Sequence, residues 1–150
     1  MSERSVLLLS GPNLNLLGER EPAIYGTETL EDHVAAATAR AGEHGLGLEH
    51  LQSNRESDLL EAVHEARRRH AAIIVNAGAF THSSWALHDA LAAFDGPVVE
   101  LHLSNPSRRE SWRHTSVVAP VADALICGLG GGGYPMAVDA VVQLLDASSE

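Results

Sequence analysis

Glu100 and His102 are the two residues whose types and spacing first suggest chemistry. They lie two positions apart in an apolar run, so in a strand their side chains share one face. A carboxylate beside an imidazole fixes the tautomer of the ring and favours its protonated form, which is what a general acid needs. The alternative is a buried strand pair that has only a structural role.

Tyr25 is the second candidate, because it follows Arg20 by five positions. A free phenol keeps its proton at neutral pH, but a nearby guanidinium favours the phenolate. The pair could therefore supply a tyrosinate that accepts a proton. The alternative is a tyrosine that holds a loop in place by packing. Tyr134, beside a run of glycines, has no comparable partner in the sequence.

A proton acceptor, a proton donor and amide side chains together suit one class of reaction. They can remove a proton next to a carbonyl, hold the enolate and then protonate a leaving hydroxyl, which is a β-elimination. The ten basic residues are all arginine. The absence of lysine excludes a Schiff-base mechanism and a lysine-based P-loop.

Motifs for other chemistries are missing or weak. The sequence has no HExxH, no cysteine cluster and no GxSxG, so neither a metal nor a serine nucleophile is predicted. Gly128 to Gly133 formally match GxGxxG, but only 17 residues follow, too few for a dinucleotide-binding unit. We expect this glycine run to close one wall of a pocket.

The composition is that of one globular domain spanning residues 1–150. Apolar residues make up 45% of the 150, and the formal net charge is -10, which argues against nucleic acid or anionic membranes as partners. Cys127 is the single cysteine, and no apolar segment approaches the length of a membrane span. These features predict a soluble, cytoplasmic protein.

The elements that must position these residues alternate along the chain. Short apolar runs at 5–10, 46–52, 72–76, 97–103 and 122–128 predict strands, and helical spacing marks 29–43, 57–69, 83–94 and 133–146. This order predicts a single-domain α/β fold, a flavodoxin-like doubly wound five-stranded parallel sheet. The long connections at 11–28 and 104–116 are expected to form a lid and a binding loop.

Parallel strands deliver their carboxyl ends to one edge of the sheet, and the polar residues there should converge on a small anionic ligand. Arg20 and Arg113 lie among hydrogen-bonding and aromatic residues and are candidates for binding it. Arg108 and Arg109 are expected to be solvated loop charges, and Asn13 and Asn15 could be turn residues. Six further histidines are assigned to the polar surface: His33, His44, His50, His64, His70 and His114.

Several motifs in a fixed order resemble those of type II 3-dehydroquinate dehydratases, the lysine-independent dehydroquinases, over nearly the full chain. The matching stretches are GPNLNLLGEREP at 11–22, YG at 25–26 with TL at 29–30, QSN at 52–54, NAGAFTH at 76–82, ELHLSN at 100–105, RE at 109–110, Arg113 with Ser116, GLG at 128–130 and GY at 133–134. The resemblance implies a flavodoxin-like subunit in a homododecamer, a tetramer of trimers. It further implies reversible trans-dehydration of 3-dehydroquinate to 3-dehydroshikimate without metal or organic cofactor.

The resemblance also implies roles for individual residues. Tyr25 would accept the proton, with Arg20 on the mobile lid supporting its ionisation, and Asn13 would hold the water that stabilises the enolate. His102 would protonate the leaving hydroxyl, with Glu100 behind it. Asn76, His82 and Arg113 would bind substrate hydroxyls, the main chain of Leu103 and Ser104 would hold the carboxylate, and Asp89 would reach the site of a neighbouring subunit.

Two other classes of function stay open at this point. A flavodoxin-like module that binds a small ligand or flavin without catalysis would be coloured or nucleotide-loaded. Against it, the loop after the first strand is rich in Asn, Leu and Arg and lacks a Ser/Thr/Gly phosphate cradle. A purely structural oligomer would tolerate Tyr25→Phe.

Overall fold

One five-stranded parallel sheet forms the centre of the computed structural model, which describes residues 4–148. The strands are β1 (Ser5–Ser10), β2 (Gly47–Gln52), β3 (Ala72–Asn76), β4 (Val98–Leu101) and β5 (Ala124–Ile126). They lie in the order β2-β1-β3-β4-β5, and every pair is parallel. This is the flavodoxin-like strand order, so the predicted fold class is confirmed.

Four α-helices lie in the connections between strands, and a fifth follows β5. They are α1 (Pro22–Tyr25), α2 (Leu30–Glu43), α3 (Glu56–Arg69), α4 (Trp85–Ala92) and α5 (Gly133–Ser148). The four longer helices and all five strands agree with the sequence-based bounds to within two residues. The one-turn helix α1 was not predicted, because it lies inside the long connection after β1.

Each face of the sheet has its own hydrophobic core. Along β1, Val6 and Leu8 pack against α2 and α5, whereas Leu7 and Leu9 pack against α3 and α4. This alternation follows from the period-2 geometry of a strand covered on both sides. Strand β2 lies at the sheet edge and is only half buried, so the expectation that every strand is apolar on both faces is wrong there.

The loops after β1 and β3 approach each other closely where the strand order reverses. A Cβ on Gly11 would lie 2.3 Å from the carbonyl oxygen of Ala77. Gly78 has a φ of +59°, and a Cβ there would lie 2.9 Å from the carbonyl oxygen of Pro12. Glycine at both positions lets the two loops meet, which brings their side chains to one edge of the sheet.

The surface assignment of the histidines is wrong for His33, which is buried with 3% of its area exposed. It is also wrong for His70, whose side chain is only 5% exposed and whose Nε2 lies 2.7 Å from Glu49 Oε2. His50 is half buried, and its Nε2 lies 2.9 Å from Ser10 Oγ. Within residues 4–148, no helix is long and apolar enough to cross a bilayer.

Candidate active site

A cleft opens at the carboxyl edge of the sheet, where β1 and β3 lie side by side. Such reversal points are where doubly wound sheets bind ligands. Main-chain and side-chain groups from the loops after β1, β3 and β4 line it. The lining residues are Pro12, Asn13, Leu14, Arg20, Tyr25, Asn76, Gly78, Ala79, His82, His102, Leu103, Ser104, Pro106, Arg109 and Arg113.

His102 and Glu100 form the pair that their spacing predicts. His102 Nε2 donates to Glu100 Oε2 at 2.6 Å, and both residues are buried. Ser116 Oγ donates to the same Oε2 at 2.9 Å and itself accepts the N–H groups of Val118 and Ala119. The carboxylate therefore holds the imidazole from behind, and the ring faces the cleft.

Tyr25 lies at the end of α1 between two guanidinium groups. Arg109 Nη1 donates to the Tyr25 hydroxyl at 2.6 Å. The Cζ atoms of Arg20 and Arg109 lie 5.1 and 5.2 Å from the centroid of the phenol ring. A phenolate at this position would face two positive charges, one of them through a charge-assisted hydrogen bond.

Arg109 lines the cleft, although the sequence analysis did not place it there. Its side chain is only 12% exposed, whereas Arg108 is exposed as expected. A 3₁₀ turn over Pro106–Arg108 precedes Arg109, and His114 Nε2 donates to the Arg109 carbonyl oxygen at 2.9 Å. The expectation that Arg109 is a solvated loop charge is therefore wrong.

Asn13 takes a left-handed conformation in the loop after β1, with a φ of 69°. Its N–H donates to Asn54 Oδ1 at 2.9 Å, and Gln52 Nε2 donates to the Gly11 carbonyl oxygen at 3.2 Å. The QSN segment after β2 therefore supports the loop that carries Asn13. Asn15 is exposed and is not among the residues that line the cleft.

Three further residues predicted to bind substrate line the cleft: Asn76, His82 and Arg113. Asn76 Nδ2 donates to the Tyr134 hydroxyl at 3.3 Å, and His82 Nδ1 lies 2.8 Å from the Thr115 carbonyl oxygen.

Trp112 lies between His82 and Arg113. The Arg113 guanidinium stacks 4.0 Å from the centroid of the Trp112 ring, and the His82 ring meets the same ring edge to face at 5.4 Å. Arg113 Nε also donates to Glu110 at 2.8 Å, and this contact holds the pKa of the Glu110 carboxyl below its usual range.

The comparison with known proteins identifies the family. The model described as Dehydroquinase class II matches residues 4–142. The chain belongs to this family.

Relatives named 3-dehydroquinate dehydratase match nearly the whole chain. A 3-dehydroquinate dehydratase of Corynebacterium glutamicum (strain R) is 52% identical over 139 residues, 93% of this chain and 96% of the relative. A 3-dehydroquinate dehydratase of Aliivibrio fischeri (strain MJ11) is 53% identical over 146 residues, 97% and 98% of the two chains. The crystal structure of a type II dehydroquinase from Butyrivibrio crossotus is similar with a TM-score of 0.91 at 39% identity, over 95% and 99% of the two chains.

The glycine run of this dehydroquinase-family chain does not line the cleft, so the expectation that it forms a wall is wrong. Its main chain lies behind the wall, where the N–H groups of Gly128 and Gly130 donate to the carbonyl oxygens of Ser104 and Leu103 at 3.1 and 2.9 Å. Among the described residues, no hydrogen bond uses the N–H groups of Leu103 and Ser104. Those two donors remain available beside the cleft.

Asp89 is the one residue predicted for the site that lies apart from it. It is exposed on α4 and does not line the cleft of its own chain. Its contribution to the site of a neighbouring subunit therefore stays a prediction. In the part of the chain that the structure describes, no group of three or more His, Cys, Asp or Glu side chains is placed to hold a metal ion.

Proposed function

We propose that the cleft catalyses the reversible trans-dehydration of 3-dehydroquinate to 3-dehydroshikimate, an anti elimination of water through an enolate. One observation carries the proposal: a tyrosine hydroxyl bound by Arg109 and a carboxylate-paired imidazole line the same cleft. The relatives named 3-dehydroquinate dehydratase, which match almost the whole chain, support this substrate.

Tyr25 is the proton acceptor in this scheme. Its oxygen accepts a hydrogen bond from Arg109 at 2.6 Å, and Arg20 flanks the ring. Two guanidinium groups stabilise the phenolate that must take a proton from carbon. Arg20 and Arg109 thus share the role that the sequence analysis gave to Arg20 alone.

His102 is the proton donor to the leaving hydroxyl. Because its Nε2 is engaged by Glu100, the other ring nitrogen is free to face substrate. The hydrogen bond to Glu100 keeps the ring oriented, and a carboxylate at this position favours the ring form that gives up a proton. Acid and base come from different loops, which is compatible with removal of the proton and the hydroxyl from opposite faces.

The remaining residues bind substrate and hold the enolate. Asn13, which lines the cleft from the loop after β1, would hold the water that stabilises the enolate oxygen. The free N–H groups of Leu103 and Ser104 would bind the substrate carboxylate. Asn76, His82 and Arg113 would bind the hydroxyl groups.

Three features of the whole protein belong to the same proposal. Residues 11–28 act as a lid that carries Arg20 and Tyr25 over the substrate. The subunits form a homododecamer, a tetramer of trimers, in which Asp89 reaches the site of a neighbour. The protein works in the cytoplasm, which suits a chain with a single cysteine.

The test is to add 3-dehydroquinate to the purified protein and to follow the absorbance of the enone product. We expect turnover in the parent and a loss of at least about 10²-fold in Tyr25→Phe, with similar losses in Arg20→Ala and His102→Ala. Circular dichroism of each variant controls for folding. A folded Tyr25→Phe protein with a near-normal rate would contradict the assignment of the base, and an inactive, flavin-coloured parent would favour the binding module.

A further inference from the structure

Tyr134 is fully buried on α5, and its hydroxyl is hydrogen-bonded to Asn76, which lines the cleft. Its hydroxyl accepts a hydrogen bond from Asn76 Nδ2 at 3.3 Å, and Asn76 Oδ1 accepts one from the N–H of Gly78 at 3.3 Å. The two ends of the carboxamide are thus tied to different elements. Because both bonds are long, neither alone fixes the plane of the amide.

The Tyr134 ring is itself held by His33 on α2. The two rings are stacked with centroids 5.0 Å apart and planes 9° apart. Burial lowers the pKa of His33, which favours the neutral form of the ring. A Cβ on Gly131 would lie 2.3 Å from His33 Cε1, so glycine at this position leaves room for the imidazole.

The hydroxyl of Tyr134 keeps its proton over the whole range in which enzymes work. Burial raises the pKa of Tyr134 to about 12. The group can therefore accept from Asn76 without becoming an uncompensated buried charge. Its chemistry is that of a fixed polar contact and not that of a second base beside Tyr25.

We propose that Tyr134 is a positioning residue for the reaction, which orients the Asn76 carboxamide toward a substrate hydroxyl. The second hydrogen on Nδ2 and the second lone pair on Oδ1 then face the cleft at a set angle. His33 and Gly131 complete the support, since they determine where the Tyr134 ring lies. This inference rests on the proposed dehydration of 3-dehydroquinate, in which Asn76 binds substrate.

Tyr134→Phe is the direct test, because phenylalanine keeps the ring and its stacking and removes only the hydroxyl. We expect the KM for 3-dehydroquinate to rise by about three- to tenfold, as for the loss of one neutral hydrogen bond. The kcat should stay within about twofold, because a contact made equally in ground and transition states affects KM alone. Val138→Ala, a buried apolar change one turn further along α5, should lower the Tm and leave KM unchanged.

A double-mutant cycle decides whether Tyr134 acts through Asn76. In an Asn76→Ala background, or in Asn76→Ser if the alanine variant does not fold, Tyr134→Phe should change KM by less than about 1.5-fold. An equal rise in KM in both backgrounds, or no rise in the parent, overturns the inference. A parent that does not turn over 3-dehydroquinate instead overturns the proposed function, so the two failures are distinct.

Discussion

Arg108 and Arg109 have the same side chain and adjacent positions but opposite surroundings. Arg109 is nearly buried against the Tyr25 hydroxyl, and Arg108 is exposed. A charge-assisted hydrogen bond contributes about 1.5–3 kcal/mol, so we expect Arg109→Ala to lower kcat/KM by at least about tenfold. Arg108→Ala is the matched control and should stay within about twofold of the parent. Equal effects of the two changes on the steady-state rates would show that the contact with Tyr25 has no part in the reaction.

The same two arginines show which side-chain contacts cannot be predicted from sequence. Spacing alone predicts the contact between Glu100 and His102, because positions i and i+2 of a strand share a face. No spacing rule tells which of two loop arginines turns inward, since the partner of Arg109, Tyr25, lies 84 positions away in the sequence. The bond between Asn76 and Tyr134 joins residues 58 positions apart, and only the packing of α5 on the sheet creates it.

Whole elements are more predictable than single contacts, because hydrophobic periodicity reflects burial directly. His33 is an exception: its position in the helix indicates burial, although histidine is a polar residue type. It follows Leu30 by three positions and precedes Ala37 by four, so it lies on the buried face of α2. A prediction based on helical spacing, and not on the polarity of histidine, would have placed His33 in the core.

The burial of His33 predicts a pH dependence of stability for the packing of α2 against α5. Burial lowers the pKa of His33 from its ordinary value of 6.5, although nearby Glu28 and Asp32 partly oppose this. As the pH falls below about 6.5, the unfolded chain takes up the proton first, so the free energy of unfolding decreases.

His33→Leu cannot take up that proton. Urea denaturation at pH 7.5 and pH 5.5 should therefore show a smaller loss of unfolding free energy in this variant than in the parent. Burial also lowers the pKa of His50. Because His50 is present in both proteins, both should lose some unfolding free energy at the lower pH. Parallel losses in the two proteins would mean that His33 does not contribute, whatever the absolute stability of the variant.

At the scale of the whole molecule, charge is distributed unevenly. The chain has a formal net charge of -10, yet Arg20, Arg109 and Arg113 all line one cleft. This local reversal of charge suits an anionic substrate in an otherwise acidic protein. Helix α4 carries the exposed Asp89 together with Trp85, whose exposed fraction of 62% is unusual for a side chain of its size. Trp85 precedes Asp89 by one helical turn and lies on the same side of α4, so the proposed contact of Asp89 with a neighbouring subunit would bring Trp85 to that subunit as well.

If Asp89 completes the site of a neighbouring subunit, a mixture of two inactive variants should regain enzyme activity. Asp89→Ala retains Tyr25, and Tyr25→Phe retains Asp89, so a mixed trimer contains some sites with both residues. When the two proteins are denatured together in equal amounts and refolded, a cyclic trimer should regain roughly a quarter of the parent activity. Each variant refolded alone provides the baseline, and analytical ultracentrifugation confirms that the mixture assembles. Assembled mixtures that stay at the baseline would place the function of Asp89 within its own subunit. An Asp89→Ala protein that is fully active by itself would show that Asp89 has no part in any site.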